Sequence, residues 1–341
     1  MDPERLQRLC AGALSEIGAD IDFEVVGPTE HPDTFDARLD GQPVVAVWLG
    51  VGWPRQVEAL LARAHPPDLV AAPELSPGAR DRLTAAGVSW FDETGAARIV
   101  TPRLRVLVDT RRAAPKLPRK NLGWTPATLA VCEALLLGAQ GTVARVSDRT
   151  GLAASTVSTS LKFLQTEHLL SAEAQRGRHA RRVVDDGEQL LDAYAAAAAR
   201  LRSPQSIRVG VLWRDPHRGA EQLGARWKKQ RTRWSATSAL AADVLAPLLT
   251  DVVPLEIYVQ AQSLADLRQV AREAGLSEAA GGRLLLRPFP TPAQDTLSDV
   301  VSGVRVMPWP RVYADLRSTG VRGEEAAEHL RTHRPMEPAD A

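Results

Sequence analysis

The sequence predicts a mixed α/β chain built from several domains. Three observations predict it. The length of 341 residues exceeds what one ordinary core accommodates. Strand-like and helical runs alternate at both ends of the chain, the pattern of sheets flanked by helices. Between them lies a section with helical periodicity and one short hairpin. Hydrophobic residues make up 44% of the chain, enough for more than one core.

Taken in order, residues 1–110 read as a first α/β domain. A helix is expected at 3–17, strands at 21–26, 35–39 and 43–49, a helix at 55–65 and a strand at 68–72. A helix at 76–86 and strands at 88–91 and 97–100 complete it. Residues 111–123 carry two prolines, five positive charges and no apolar periodicity. This stretch reads as a basic linker, either a solvated connector or a strap along phosphates. Residues 124–202 form the middle section. Residues 205–333 read as a second α/β domain, with strands at 207–213, 255–259, 284–287 and 304–307 and helices at 236–249, 264–274, 312–318 and 324–331. The stretch 334–341 reads as a disordered tail.

Composition excludes several classes. No apolar run approaches the roughly 20 residues of a membrane span. The opening MDPERLQRLC is charged and leads into an amphipathic helix, so a cytoplasmic, nucleoid-associated chain is expected. Cys10 shares a helical face with Leu6, Ala13 and Ile17, and Cys132 with Leu129 and Leu136. Two cysteines so placed suit neither a metal site nor a disulfide framework, and read as buried small hydrophobes. No cofactor or metal is expected. His217, His329 and His333 lack ligand spacing, and Asp315, Glu324 and Glu325 read as helix-capping or solubilising acids.

The net charge is +1, so the case for nucleic acid rests on distribution. Basic residues gather in 111–120, 176–182 and 226–233. The last cluster, ARWKKQRTRW, reads as a helix with inward tryptophans and solvated charges; the alternative is a second nucleic-acid contact through stacking and phosphates. Lysine is scarce and arginine abundant, a bias of GC-rich bacterial genomes, so the arginine count alone carries no weight.

The middle section carries the functional argument. Thr125-Pro126 opens a helix with Leu129, Cys132 and Leu136 on one face. Thr142 opens a short second helix that glycine ends at Gly151. A third helix runs from Ala154 or Ser155 to about Thr166. Its stripe Val157, Leu161 and Leu164 must face a core. The opposite side carries Ser155, Thr159, Lys162 and Thr166, flanked by Thr156 and Ser158, with no acid before Glu167. Short donors and acceptors let a helix approach base edges and phosphates, and the missing acids avoid repulsion. The strand-like pairs Leu169-Leu170 and Val183-Val184 flank a hairpin bearing Arg176, Arg178, His179, Arg181 and Arg182, suited to grip phosphate or enter a minor groove. A last helix with Leu190, Tyr194, Ala197 and Leu201 in register is offered as a dimer seam.

This order of elements, with the phrase GLAASTVSTSLKFLQTEHLL, resembles the winged helix-turn-helix of bacterial regulators such as the MarR group, over about a quarter of the chain. The resemblance implies a non-enzymatic transcriptional regulator that binds double-stranded DNA sequence-specifically as a homodimer. Ser155, Thr156, Ser158, Thr159 and Lys162 read the groove while the basic hairpin residues hold its flank.

Two further resemblances concern the flanking domains. The phrases VLWRDP, WSATSALAADVLAPLL and PRVYADLRSTGVRGEEAAEHLR resemble the C-terminal domain of AbiE-type type IV antitoxins, which implies an autorepressor with a nucleotidyltransferase toxin as partner. Those antitoxins usually open with the winged helix, whereas here another domain precedes it. The first domain's order of helix, three strands, helix and strand resembles the restriction-endonuclease-like fold. There an acid on the second strand and an acid-x-lysine pair on the third hold a metal that activates water. Asp36 stands on the second strand, but the third reads Ala46-Val47-Trp48, so an inactive nuclease-like domain is expected. A metal-dependent DNA endonuclease is the enzyme alternative. Asp92 and Gly95 stand in a D-x-x-G pattern that resembles a turn of actinobacterial regulators and reads as a capped turn.

Overall fold

The computed structural model describes residues 3–17, 21–29, 34–50, 52–102, 104–108, 123–172, 181–248, 255–291 and 293–334. The expected linker, apart from Gly123, the hairpin tip 173–180 and the tail 335–341 lie outside them. The chain is mixed α/β and divides into two compact units, Met1–Lys120 and Asn121–Ala341. Among the described residues no helix is long and apolar enough to cross a membrane.

The first unit runs α1 (Pro3–Ile17), β1 (Phe23–Pro28), β2 (Thr34–Leu39), β3 (Gln42–Trp48), α2 (Pro54–Leu61), β4 (Leu69–Ala72), α3 (Pro77–Ala85), β5 (Ser89–Asp92), β6 (Ala97–Val100) and β7 (Arg105–Val108). Its seven strands lie side by side in chain order. β3, β4 and β5 are parallel, with α2 and α3 as the crossovers, and the outer pairs are antiparallel hairpins. The period-2 alternation of the central strands separates two cores. Ala46, Trp48, Leu69, Ala71 and Phe91 join Leu6, Cys10 and Leu14 of α1. Val47, Val70, Ala72 and Trp90 instead join Val57, Leu60, Ala79 and Leu83 of α2 and α3.

Asp92 closes β5 as a capped turn. It is fully buried. Its Oδ1 accepts from the Thr94 amide at 3.0 Å and its Oδ2 from the Leu75 amide at 3.0 Å and Arg80 Nη2 at 2.7 Å. Gly95 supplies the positive φ of 84° that the turn requires.

The second unit opens with α4 (Pro126–Leu136), α5 (Val143–Thr150), α6 (Ala154–Thr166), β8 (Ser171–Ala172), β9 (Arg182–Val183) and α7 (Gly187–Leu201). It continues with β10 (Ile207–Val209), α8 (Pro216–Lys229), β11 (Trp234–Thr237), α9 (Ser238–Leu245), β12 (Leu255–Val259), α10 (Leu264–Glu273), β13 (Leu284–Pro288), α11 (Gln294–Leu297), β14 (Asp299–Val301), β15 (Val304–Val306), α12 (Trp309–Leu316) and α13 (Val321–His333). Six strands form a mixed sheet in the order β10-β13-β12-β11-β15-β14. Several elements differ from the sequence expectation, including the short helix α11 and a first strand that ends at Val209. The expected helix 236–249 starts as strand, because Trp234–Thr237 pair between β12 and β15. Helix α8 overlaps the helix expected at 225–234 but starts nine residues earlier and ends at Lys229. Asp215 caps it, Pro216 starts it, and Gly219 and Gly224 leave room for the rings of Trp213 and Trp234. β14 is a short edge strand.

α7 does not present a dimer seam. Leu190, Tyr194 and Ala197 are buried within the chain, and the helix packs against α4 and α12. This corrects the sequence reading: the apolar register was right, but its partners are α4 and α12 of the same chain. The joint is ionic at its centre. Arg311 and Asp315 of α12, both buried, pair at 2.9 Å. Asp315 also accepts from Thr237 at 2.6 Å and from the Tyr258 hydroxyl at 3.0 Å. Asp315 is therefore no solvent-facing acid, and Glu324 too is buried. Beside this pair, Arg202 at the end of α7 reaches Glu256 of β12 at 2.6 Å, with Arg287 3.9 Å from the same carboxylate. From the winged side, the Tyr194 hydroxyl donates to Glu133 of α4 at 2.5 Å.

Burial alone would lift the Asp315 pKa. Arg311, Arg202 and the bonds from Thr237 and Arg311 outweigh it and hold the carboxyl below its ordinary value. At Glu256 burial wins over Arg202 and Arg287, and the pKa is raised.

Candidate nucleic-acid interface

The three-helix section α4–α6 is built by local rules. Thr125 caps α4, its side chain accepting from the Thr128 amide, and α4 buries almost its whole length. Thr142 caps α5 in the same way, and Gly151 ends it in the left-handed region at φ 71°. The buried Thr150 hydroxyl donates to the Val146 carbonyl at 2.6 Å and tightens the turn. α6 then starts at Ala153 with no side-chain cap, so its first amides have no side-chain acceptor. The Thr296 hydroxyl of α11, which donates to the Ala293 carbonyl at 2.6 Å, lies 3.4 Å from the Thr150 carbonyl and packs beside the turn.

α6 divides into two faces. Val157, Leu161 and Leu164 are fully buried. Ser160 joins them, its hydroxyl 3.2 Å from that of Thr128. Trp124 meets Phe163 edge to face at 5.5 Å. On the other side Ser155, Ser158, Thr159 and Lys162 are exposed, and Thr156 is half-buried. Thr159 donates its hydroxyl to the Ser155 carbonyl at 3.0 Å, and Thr166 donates to that of Lys162. Such back-bonding uses up the donor and turns oxygen lone pairs and methyl groups outward. The face thus offers small acceptors, methyls and one ammonium, with no carboxylate before the exposed Glu167.

The hairpin base is held against the same motif. β8 and β9 pair antiparallel, Ala172 opposite Arg182. On its other side Arg182 donates its amide to the Gly141 carbonyl at 3.1 Å, an isolated antiparallel bridge. A Cβ at position 141 would stand 2.0 Å from the Arg182 carbonyl oxygen, so only glycine allows this approach. Arg181 and Arg182 are half-buried at this base, while Arg176, Arg178 and His179 fall in the tip, outside the described residues.

The sequence reading missed two cations. Arg145 and Arg149 of α5 are exposed, one turn apart on either side of the buried Val146. Their i, i+4 spacing was the available signal.

In the first unit the positions where a nuclease-like site would hold its acid and lysine are apolar. Ala46, Val47 and Trp48 are buried within the two cores, and Asp36 is exposed on β2, opposite Val45. Among the described residues no cluster of histidine, cysteine and carboxylate side chains is arranged to hold a metal ion.

In the segment 225–234 the indoles are packed away. Trp227 is fully buried and Trp234 nearly so, with ring centroids 5.8 Å apart. His217 bonds to Asp243 at 2.5 Å, and His329 and His333 stack on one face of α13. Comparison of the chain with protein-family models, with curated proteins and with solved structures gives no match.

Proposed function

We propose that the chain is a non-catalytic regulator that binds double-stranded DNA through the winged section of its second unit. One observation carries the reading. The face of α6 opposite its core stripe is exposed, short-chained and free of carboxylates up to Glu167, although the helix is firmly seated by Val157, Leu161 and Leu164. A helix whose outer side only needed solubility would carry long charged residues there. A face of alcohols and methyls approaches base edges in a major groove closely, and methyls also suit the thymine methyl. Lys162 on that face, exposed Arg145 and Arg149 on α5, and Arg181 and Arg182 at the hairpin base supply cations for phosphates. The uncapped start of α6 adds amides that favour an anion.

The reading of two-fold sites by a dimer requires a contact other than α7, which is closed within the chain. The test is selection of genomic fragments by the full-length protein, followed by titration of a recovered duplex in the presence of excess unrelated DNA. A common sequence among recovered fragments, bound about a thousandfold or more tighter than unrelated duplex, is expected. Recovery of random fragments, or of none, overturns the reading.

A further inference from the structure

We infer that the strip formed by the end of α8 and the turn after it is a second, sequence-independent contact for the phosphate backbone of duplex DNA. The inference rests on the duplex-DNA reading above. The segment 225–234 holds five positive charges and no acid, in a chain of net charge +1. Burial of Trp227 and Trp234 removes base stacking as its purpose and fixes the cations between them outward. Lys228, Lys229 and Arg231 are exposed, and Arg226, also exposed, donates to the Ala274 carbonyl. Cations in the last turn of α8 also complement the helix dipole, which gives Lys228 and Lys229 a structural reason to be there.

Arg231 has no such reason. It lies beyond the helix, at φ 58° in the left-handed region. The Thr232 amide bonds to the Trp227 carbonyl at 2.9 Å and the Arg231 amide to that of Lys228 at 3.2 Å. These bonds make a Schellman-type end, in which glycine is the ordinary occupant of the position Arg231 holds. A long cation kept at a glycine position against backbone strain points to use of its charge. The one acid lining the shallow groove with Arg231, Asp266, is oriented by the amides of Gln262 and Ser263, which donate to its carboxylate.

The experiment titrates a duplex with the full chain at several salt concentrations. It uses wild type, the strip triple variant Lys228→Gln/Lys229→Gln/Arg231→Gly, the single Arg231→Gly, and the winged double variant Lys162→Gln/Arg182→Gln. The triple variant should flatten the slope of log affinity against log salt by about 2 to 3 and weaken binding roughly tenfold, equally for specific and unrelated duplexes. Arg231→Gly should weaken binding while its melting temperature stays level or rises, which a purely structural role does not permit. An unchanged slope and affinity in the triple variant, with the winged variant weakened, ends the strip and leaves the winged reading intact. A strip variant that weakens while the winged variant does not keeps the strip and overturns the winged reading. Absence of binding to any duplex by wild type overturns both.

Discussion

The two sheets of this chain both rest on apolar cores but differ in the buried charge that accompanies them. The seven-stranded sheet of the first unit lies between two apolar clusters, with the fully buried Asp92 carboxylate tying one turn to Arg80. The second unit adds buried charge to the apolar packing that joins α4 and α7 to its sheet, with Arg311, Arg202 and Arg287 set among Asp315, Glu256 and Glu133. Apolar packing is non-directional and tolerates rearrangement. An ionic joint contributes little net stability but strongly penalises misalignment, because a displaced partner leaves a buried charge unpaired. The contrast teaches that the winged section is built as a fixed part of the second unit, held in one register by α12 and β12.

The largest expected effect breaks that joint. Arg311→Met leaves Asp315 buried without its cation and should cost about 3–5 kcal/mol. In chemical denaturation the transition of the second unit should move to lower denaturant while that of the first stays in place. Pairing it with Asp315→Leu should return much of the loss; equal damage in single and double variants would mean that the pair does not hold the joint. In the first unit, Asp92→Ala strands the Leu75 and Thr94 amides and should cost about 2 kcal/mol, shifting only the first unit's transition.

A smaller effect separates the two carboxylates of the joint by pH. Asp315, depressed below its ordinary 3.8, contributes stability that is present above that value and lost as pH falls through its folded value. Glu256, raised above its ordinary 4.5, carries a penalty at higher pH that is relieved as pH falls through its folded value. The joint's contribution should therefore rise on mild acidification and fall below pH 3.8. Asp315→Asn should remove the acid-side loss, and a loss of equal size in that variant counts against the assignment. The smallest effect concerns the thiols. Burial pushes Cys10 up to about 12 and Cys132 well above its ordinary value, with Glu133 adding to the latter. Neither should react with a thiol reagent at neutral pH until its own unit unfolds, so prompt labelling of the native protein would contradict their burial.

Much of this was legible in the sequence where local periodicity decides the outcome. The stripe Val157, Leu161, Leu164 and the opposite polar face follow from helical spacing, and Thr125, Thr142 and Gly151 mark their helix ends by cap chemistry. Where tertiary pairing decides, sequence reading fell short. WSATSALAADVL has helical composition throughout, yet its first four residues become a buried strand because β12 and β15 flank them. Only the end of α8 was read from its tryptophans; its first turns carry Gly219 and Gly224, which serve as seats for indole rings. Periodicity identified the buried face of α7 but not its partner. Asp315 read as a surface acid because Thr237 and Tyr258 reach it only in three dimensions, although its cation Arg311 stands four residues before it on the same helix.

The central claim is that the outer face of α6 meets DNA, and placing negative charge on that face tests it most directly. Ser158 and Thr159 are exposed, so Ser158→Glu/Thr159→Glu should leave the melting temperature within about 2 °C of wild type. The same protein should lose duplex affinity by more than about thirtyfold, since two carboxylates would face the phosphates. Wild-type affinity in a folded double variant would contradict the account.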